Sequence, residues 1–193
     1  MHEPPVGRHR VVLVDRHDGV RGAVLDGRTR VAHLTRGAGV LHQHAADLLE
    51  LGRQVGILPT FEYISFFKSV YRLADAWDIV QRTADPDSTI ILDAFHNWNS
   101  NSTLDDLREI PLEKISHYHI DDAALGKAPT TQTDPDRVMI GEGQIDLAAE
   151  IAVLKEIGYD KTVSLELFNA ELWEQDPLEV ISTGLARMKS LFV

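Results

Sequence analysis

The chain has 193 residues, 44% of them hydrophobic and 25% charged, with no cysteine and a formal charge of −11. That length suffices for one buried core, and the absence of cysteine excludes disulfides and thiolate chemistry, so any metal site must be built from oxygen and imidazole. No apolar stretch approaches the ~20 residues that span a bilayer, the N-terminus lacks a secretory apolar segment, and the acid excess opposes phosphate backbones; a cytoplasmic chain with no membrane or nucleic-acid partner is expected.

Residues 1–40 stand apart, with seven arginines against four acids, so the acid excess belongs wholly to the rest of the chain. VVLVD, GVRGAVLD and TRVAHL read as short strands joined at Asp18-Gly19 and Asp26-Gly27, a small antiparallel meander. The segment is atypical of the remaining chain. It reads either as a native irregular extension or as the product of a misplaced start or of a segment read out of frame, ahead of a domain spanning 41–193.

Beyond Leu41, helical and strand patterns alternate. Residues 42–54 carry apolar positions at helical spacing, and VGILPTFE follows as a strand. Residues 65–84 place Phe66, Val70, Leu73, Ala74, Trp77 and Val80 on one stripe, which predicts a helix before the strand TIILD. Ser102 or Thr103 can cap a short helix through Ile110, and the strand KISHYHI comes next. A polar loop from Asp121 to about Gly143 is long enough to suggest function. DLAAEIAVLKEIG, residues 146–158, predicts a helix ahead of the strand TVSLE. Asp176, Pro177 and Glu179 then supply the cap, first-turn proline and capping-box acid of a last helix reaching about Leu191.

Alternating strand and helix units argue for a parallel sheet covered by helices, either open or closed into a barrel. Four strands are found over 55–166, whereas a closed barrel needs eight and typically about 250 residues. The expected fold is therefore α/β, a partial (β/α)8 TIM barrel corresponding to its C-terminal half.

Each of the four runs closes on a ligand-type side chain: Glu62, Asp93, His119 and Glu166. Any one alone reads as a helix cap or ion-pair partner. Four at corresponding strand ends read together as a site for one divalent cation, because barrel sites are assembled at the carboxyl ends of strands. His96 lies three residues beyond Asp93, in the loop after the strand. Strand alternation sends His117 and His119 to one face, with His119 nearer the carboxyl end. His42 and His44 are expected on a helix surface.

From about Leu41 to Val193 the chain resembles the C-terminal half of the xylose isomerase-like TIM-barrel superfamily, the sugar phosphate isomerase/epimerase and inosose dehydratase relatives. The motifs that carry the likeness are FEYI at Glu62, LDAFH at Asp93 to His96, HYHIDD at His119 to Asp122, DPDRVMIGEGQID at Asp134 to Asp146, and IGYDKTVSLELF at Ile157 to Phe168. The resemblance implies that Glu62, Asp93, His119 and Glu166 bind one metal, that Glu62 and Glu166 double as the proton-transfer pair, and that His96 and Arg137 contact substrate oxygens. It leaves the role of Glu142 open.

Three carboxylates and an imidazole favour Mn²⁺ or Mg²⁺, with Co²⁺ or Zn²⁺ able to fit. The expected activity is sugar or cyclitol isomerisation or epimerisation through a metal-stabilised enediolate, with dehydration, a lyase outcome of the same site, as the alternative. An inactive half-barrel remnant is a further reading. The DNA-repair branch of the superfamily is opposed by the charge. Unpaired sheet edges would favour self-association as a homodimer.

Overall fold

The computed structural model describes residues 9–13, 24–25, 28–29 and 38–192, with side chains from residue 40 onward. The first elements are β1 (His9–Leu13), β2 (Val24–Leu25) and β3 (Arg28–Thr29), followed by α1 (Ala38–Gln54), β4 (Ile57–Phe61), α2 (Leu73–Thr83), β5 (Ile90–Asp93) and α3 (Ala94–Asn99). Next come α4 (Leu104–Arg108), β6 (Ile115–Ile120), β7 (Asp122–Ala123), β8 (Arg137–Val138), α5 (Leu147–Glu156), β9 (Val163–Leu165), α6 (Ala170–Trp173) and α7 (Pro177–Phe192). No helix among the described residues is long and apolar enough to cross a membrane.

Five strands form one parallel sheet in the order β1-β4-β5-β6-β9. The run β4, β5, β6, β9 is the curled sheet of a half barrel. β5 is buried along its whole length, as a strand covered on both faces must be, and its IILD sequence supplies the continuous apolar run that such burial demands. In register, Asp93 of β5 pairs with His119 of β6. Glu166 follows β9 directly, and its N–H donates to the Ile120 carbonyl at 3.3 Å. Strand pairing thus brings these side chains to one pole.

The helices cover the sheet, although α2 does so with a face other than the predicted stripe: Ala74 is exposed, while Ala76 and Ile79, outside that stripe, are buried. α5 buries Leu147, Ile151 and Leu154, and α2 buries Leu73, Ala76, Ile79 and Val80. Each fully buried side chain of this size contributes roughly 1.5–3 kcal/mol, so the two helices are held by packing more than by propensity. Thr103 caps α4 in a reciprocal box with Asp106, and Asp146 and Asp176 cap α5 and α7 through the N–H groups of Ala149 and Leu178. At Gly184, where α7 lies on β9, an added Cβ would sit 2.3 Å from Leu165 Cδ2, so a larger residue there requires the Leu165 side chain to shift.

Three expectations are corrected. The helix predicted over 65–84 begins only at Leu73, because residues 65–72 are engaged in tertiary contacts: the Ile64 N–H donates to the Val70 carbonyl, Val70 is buried, and the Ser65 hydroxyl lies 3.0 Å from His96 Nδ1. His96 lies in a helix, α3, and not in a loop, since the Asp93 carboxylate accepts from its N–H and starts the helix at once. β1 pairs in parallel with β4 and is not part of an antiparallel meander, although β2 and β3 do pair antiparallel; the Asp26-Gly27 turn expected between them lies outside the described residues. The Asp18-Gly19 turn lies outside the described residues. The boundary expected at residue 40 falls inside α1.

Candidate metal centre

Glu62, Asp93, His119 and Glu166 each offer one ligand atom, and the four atoms lie within 4.8 Å of one another. Every one arrives from a strand end, by way of β4, β5, β6 and β9. His119 Nδ1 stands 3.1 Å from Glu62 Oε1, 3.2 Å from Glu166 Oε2 and 3.8 Å from Asp93 Oδ2. Its Nε2 points the other way, 3.0 Å from His117 Nε2, and His117 Nδ1 lies 3.1 Å from the Ser116 hydroxyl. His117 therefore orients the His119 ring, as outer partners of a ligating histidine do.

Asp93 divides its two oxygens. Oδ1 accepts from the His96 N–H at 2.8 Å, and Oδ2 faces the cluster and accepts from Arg137 Nη1 at 3.0 Å. The cap and the cluster member, alternatives in the sequence, are one residue.

Arg137 enters from β8, which pairs with β7 so that Arg137 lies opposite Ala123. Its side chain is 1% exposed and donates to Asp93, Asp121 and Asp134, with Phe95 stacked 4.7 Å from the guanidinium. Nη2 is 3.0 Å from His96 Nε2. A guanidinium can only donate, which makes Nε2 an acceptor there, while Nδ1 faces the Ser65 hydroxyl at 3.0 Å and the Ser65 backbone N–H at 3.4 Å; the hydroxyl also accepts from Asn99 at 2.7 Å. Burial, reinforced by Arg137 and opposed by Asp93, pushes the His96 pKa down to about 4. His96 is neutral at physiological pH.

The electrostatics are those of a site with surplus negative charge. Burial, offset by the His119 hydrogen bond and reinforced by Asp93 and Glu166, raises Glu62 to about 7. Burial would lower His119, but hydrogen bonds to Asp93, Glu166 and Glu62 outweigh it and push the ring up to about 12. Burial would raise Asp93, yet the Arg137 guanidinium holds it well below the usual carboxylate range. Asp121 is raised well above that range by burial; one of its oxygens meets Arg137 and the other has no hydrogen-bond partner among the described residues. Three converging carboxylates and one imidazole nitrogen form a hard, small donor set that fits a divalent cation. Its binding would compete with protons on Glu62 and His119.

Sequence reasoning passed over three residues here. Asp121 was visible only as part of HYHIDD. Asp122, its neighbour, accepts from the N–H groups of Ala123, Gly141, Gly143 and Ile145 at 2.9, 3.1, 3.0 and 2.9 Å, and so holds the GEG loop against the hairpin that carries Arg137. A Cβ at Gly143 would sit 2.3 Å from both the Asp122 carboxylate and the Ala123 carbonyl, so that loop position requires glycine. Asp134 joins Arg137 at 3.3 Å. The acid pair after an apolar strand was the available signal. Glu142 turns outward to Arg187 at 2.8 Å. His42 and His44 are half-buried in α1, each with a buried Nδ1 that has no partner among the described residues.

The chain matches the family described as Xylose isomerase-like TIM barrel over residues 26–191. It is 33% identical to an inosose isomerase of Bacillus velezensis over 142 residues, 72% of this chain and 49% of that protein. A 3-dehydroshikimate dehydratase of Pseudomonas aeruginosa is 30% identical over 129 residues, 65% of this chain and 20% of that protein. The crystal structure of an IolI protein with a zinc atom superposes with a TM-score of 0.73 at 28% identity, covering 82% of this chain and 59% of the other. The chain spans about half the length of the inosose isomerases it matches. It belongs to the xylose isomerase-like TIM-barrel family.

Proposed function

We propose that this family member holds one divalent cation on Glu62, Asp93, His119 and Glu166 and serves as the metal-binding half of a sugar or cyclitol isomerase or epimerase. The observation that carries the reading is the convergence of these four ligand atoms within 4.8 Å. Mn²⁺ and Mg²⁺ suit the carboxylate-rich set, and the zinc of the IolI relative puts Zn²⁺ beside them. When bound, such a cation supplies Lewis-acid stabilisation of the negative charge that develops on substrate oxygen.

The residues divide the remaining work. Glu62, with a pKa of about 7, can hold or accept a proton at neutral pH, which suits a general acid–base. Glu166, whose side chain is 29% exposed, is the ligand open to an incoming substrate and is its partner in proton transfer. Arg137 keeps Asp93 ionised and His96 oriented; the contacts with substrate oxygens that the resemblance implies for both would require their present partners to give way, since each is 1% exposed with its polar atoms met by protein groups. Proton removal and return next to a carbonyl gives isomerisation or epimerisation.

Deuterium exchange tests the reading. With Mn²⁺ and an inosose in D₂O, label is expected at a carbon beside the carbonyl, and Glu166→Gln is expected to slow its entry by about 10²-fold or more, the usual contribution of a general base. Exchange at the parental rate in that variant would remove Glu166 from proton transfer. The match to the 3-dehydroshikimate dehydratase favours a second reading, in which proton removal is followed by loss of a β-hydroxyl. A product lighter by one water distinguishes it.

A further inference from the structure

On the face of the sheet opposite the four ligands, where the helices pack, a buried polar chain runs through an otherwise apolar layer. The Tyr63 hydroxyl donates to Asn97 Oδ1, Asn97 Nδ2 donates to Glu150 Oε1 at 2.5 Å, and the Tyr118 hydroxyl donates to Glu150 Oε2. Both tyrosines are 0% exposed, and burial raises their phenols well above the usual range, so they remain donors. Glu150 sits on α5 among Leu147, Ile151 and Leu154, positions that face the core.

An apolar residue there would stabilise the core without the cost of burying a carboxyl group, so its presence points to specificity and not to stability. The members give the reason. Tyr63 follows Glu62, Asn97 follows His96 in the helix that Asp93 starts, and Tyr118 precedes His119. Glu150 thus ties together the ends of three successive strands, β4, β5 and β6, each through the neighbour of a site residue. β4 and β6 do not touch each other in the sheet; the chain joins them across β5.

We propose that Glu150 is a positioning residue: with Tyr63, Asn97 and Tyr118 it fixes the relative placement of Glu62, Asp93 and His119 from behind the sheet. The proposal rests on the metal reading above. The ligands come from separate strands, and a shift of one strand end against another by a fraction of an ångström would spoil their convergence without unfolding the sheet.

Three variants test it by calorimetric titration with Mn²⁺ alone. Tyr118→Phe removes one hydroxyl, Glu150→Leu removes the hub, and Glu150→Gln keeps a hub that can accept from Tyr118 and, with the Asn97 amide turned over, donate to it. Tyr118→Phe is expected to weaken Mn²⁺ binding about tenfold and Glu150→Leu more, with Glu150→Gln within about threefold of the parent, as for partners acting on a metal through its ligands. Since Glu150→Leu is the variant most exposed to misfolding, Tyr118→Phe carries the test. Parental Mn²⁺ affinity in Tyr118→Phe, with only the melting temperature lowered, overturns the proposal.

A parent chain that binds no Mn²⁺ would count against the metal reading, and the positioning role is then read without metal. The imidazole ¹H–¹⁵N signals of His96, to which the Tyr118 hydroxyl is linked through Glu150 and Asn97, are expected to move in Tyr118→Phe. Signals coincident with the parent's overturn the role on their own.

Discussion

Two buried glutamates, Glu62 at the ligand pole and Glu150 behind the sheet, are each raised by burial to about 7, yet their surroundings differ in kind. Glu62 is surrounded by other ionisable groups, Asp93, His119 and Glu166, and its oxygen converges with theirs on one point. Glu150 is met by a phenol and an amide, neutral donors that satisfy it where it stands. A perturbed carboxyl group therefore does not by itself mark a site of chemistry. What separates the two is whether the neighbours leave charge uncompensated, as at the pole, or complete the hydrogen bonds, as in the layer.

The largest effect should come from the pole. Asp93→Ala takes from buried Arg137 one of its three carboxylate partners and from α3 its cap, and is expected to cost on the order of 3 kcal/mol by urea denaturation and to abolish Mn²⁺ binding. Retention of both would mean that the pole is no more strained for charge than the layer. Next come the groups that complete their hydrogen bonds. Asp122→Ala strips four N–H groups of one acceptor, at about 1–3 kcal/mol for each donor that finds no replacement. Faster amide exchange at Gly141, Gly143 and Ile145, with metal affinity less affected than in Asp93→Ala, would sharpen the distinction.

A pH experiment separates the two glutamates directly. Each binds its proton more tightly in the folded chain than at its ordinary value of 4.5, so each contributes stability that is fully present below about 4.5 and lost as pH rises through about 7. Glu150→Gln is expected to flatten part of that decline in metal-free protein. Saturating Mn²⁺ acts only on the Glu62 part: its stabilisation should grow with pH over the same window, because fewer protons must be displaced. Identical pH curves for the parent and Glu150→Gln would place Glu150 with the ordinary carboxylates. The smallest effect is expected at the exposed Asp78–Arg82 pair, 2.7 Å apart and more than half exposed, where Arg82→Ala should change stability by no more than about 0.5 kcal/mol.

The strand ends were legible in the sequence because a buried parallel strand is a short apolar run, and a charged residue at its close stands out against it. The runs ending near Glu62, Asp93, His119 and Glu166 became β4, β5, β6 and β9 with little displacement. The stripe from Phe66 to Val80 misled, since Phe66 meets the His96 ring at 5.7 Å across the fold, a contact that helical periodicity cannot register. Asp122 was opaque for a related reason: its four donors are backbone groups, three of them about 20 residues away. Backbone amides carry no side-chain signal. Glu150 was hidden in the opposite way, as one polar letter on a helix whose other core-facing positions looked like an ordinary buried face.

The four ligands are unequally accessible: the side chain of Asp93 is 0% exposed, Glu62 5%, His119 9% and Glu166 29%. In the proposed centre Glu166 would hold the cation at its solvent side and Asp93 at its buried side. Loading kinetics and affinity would then answer to different residues and could be altered independently of one another.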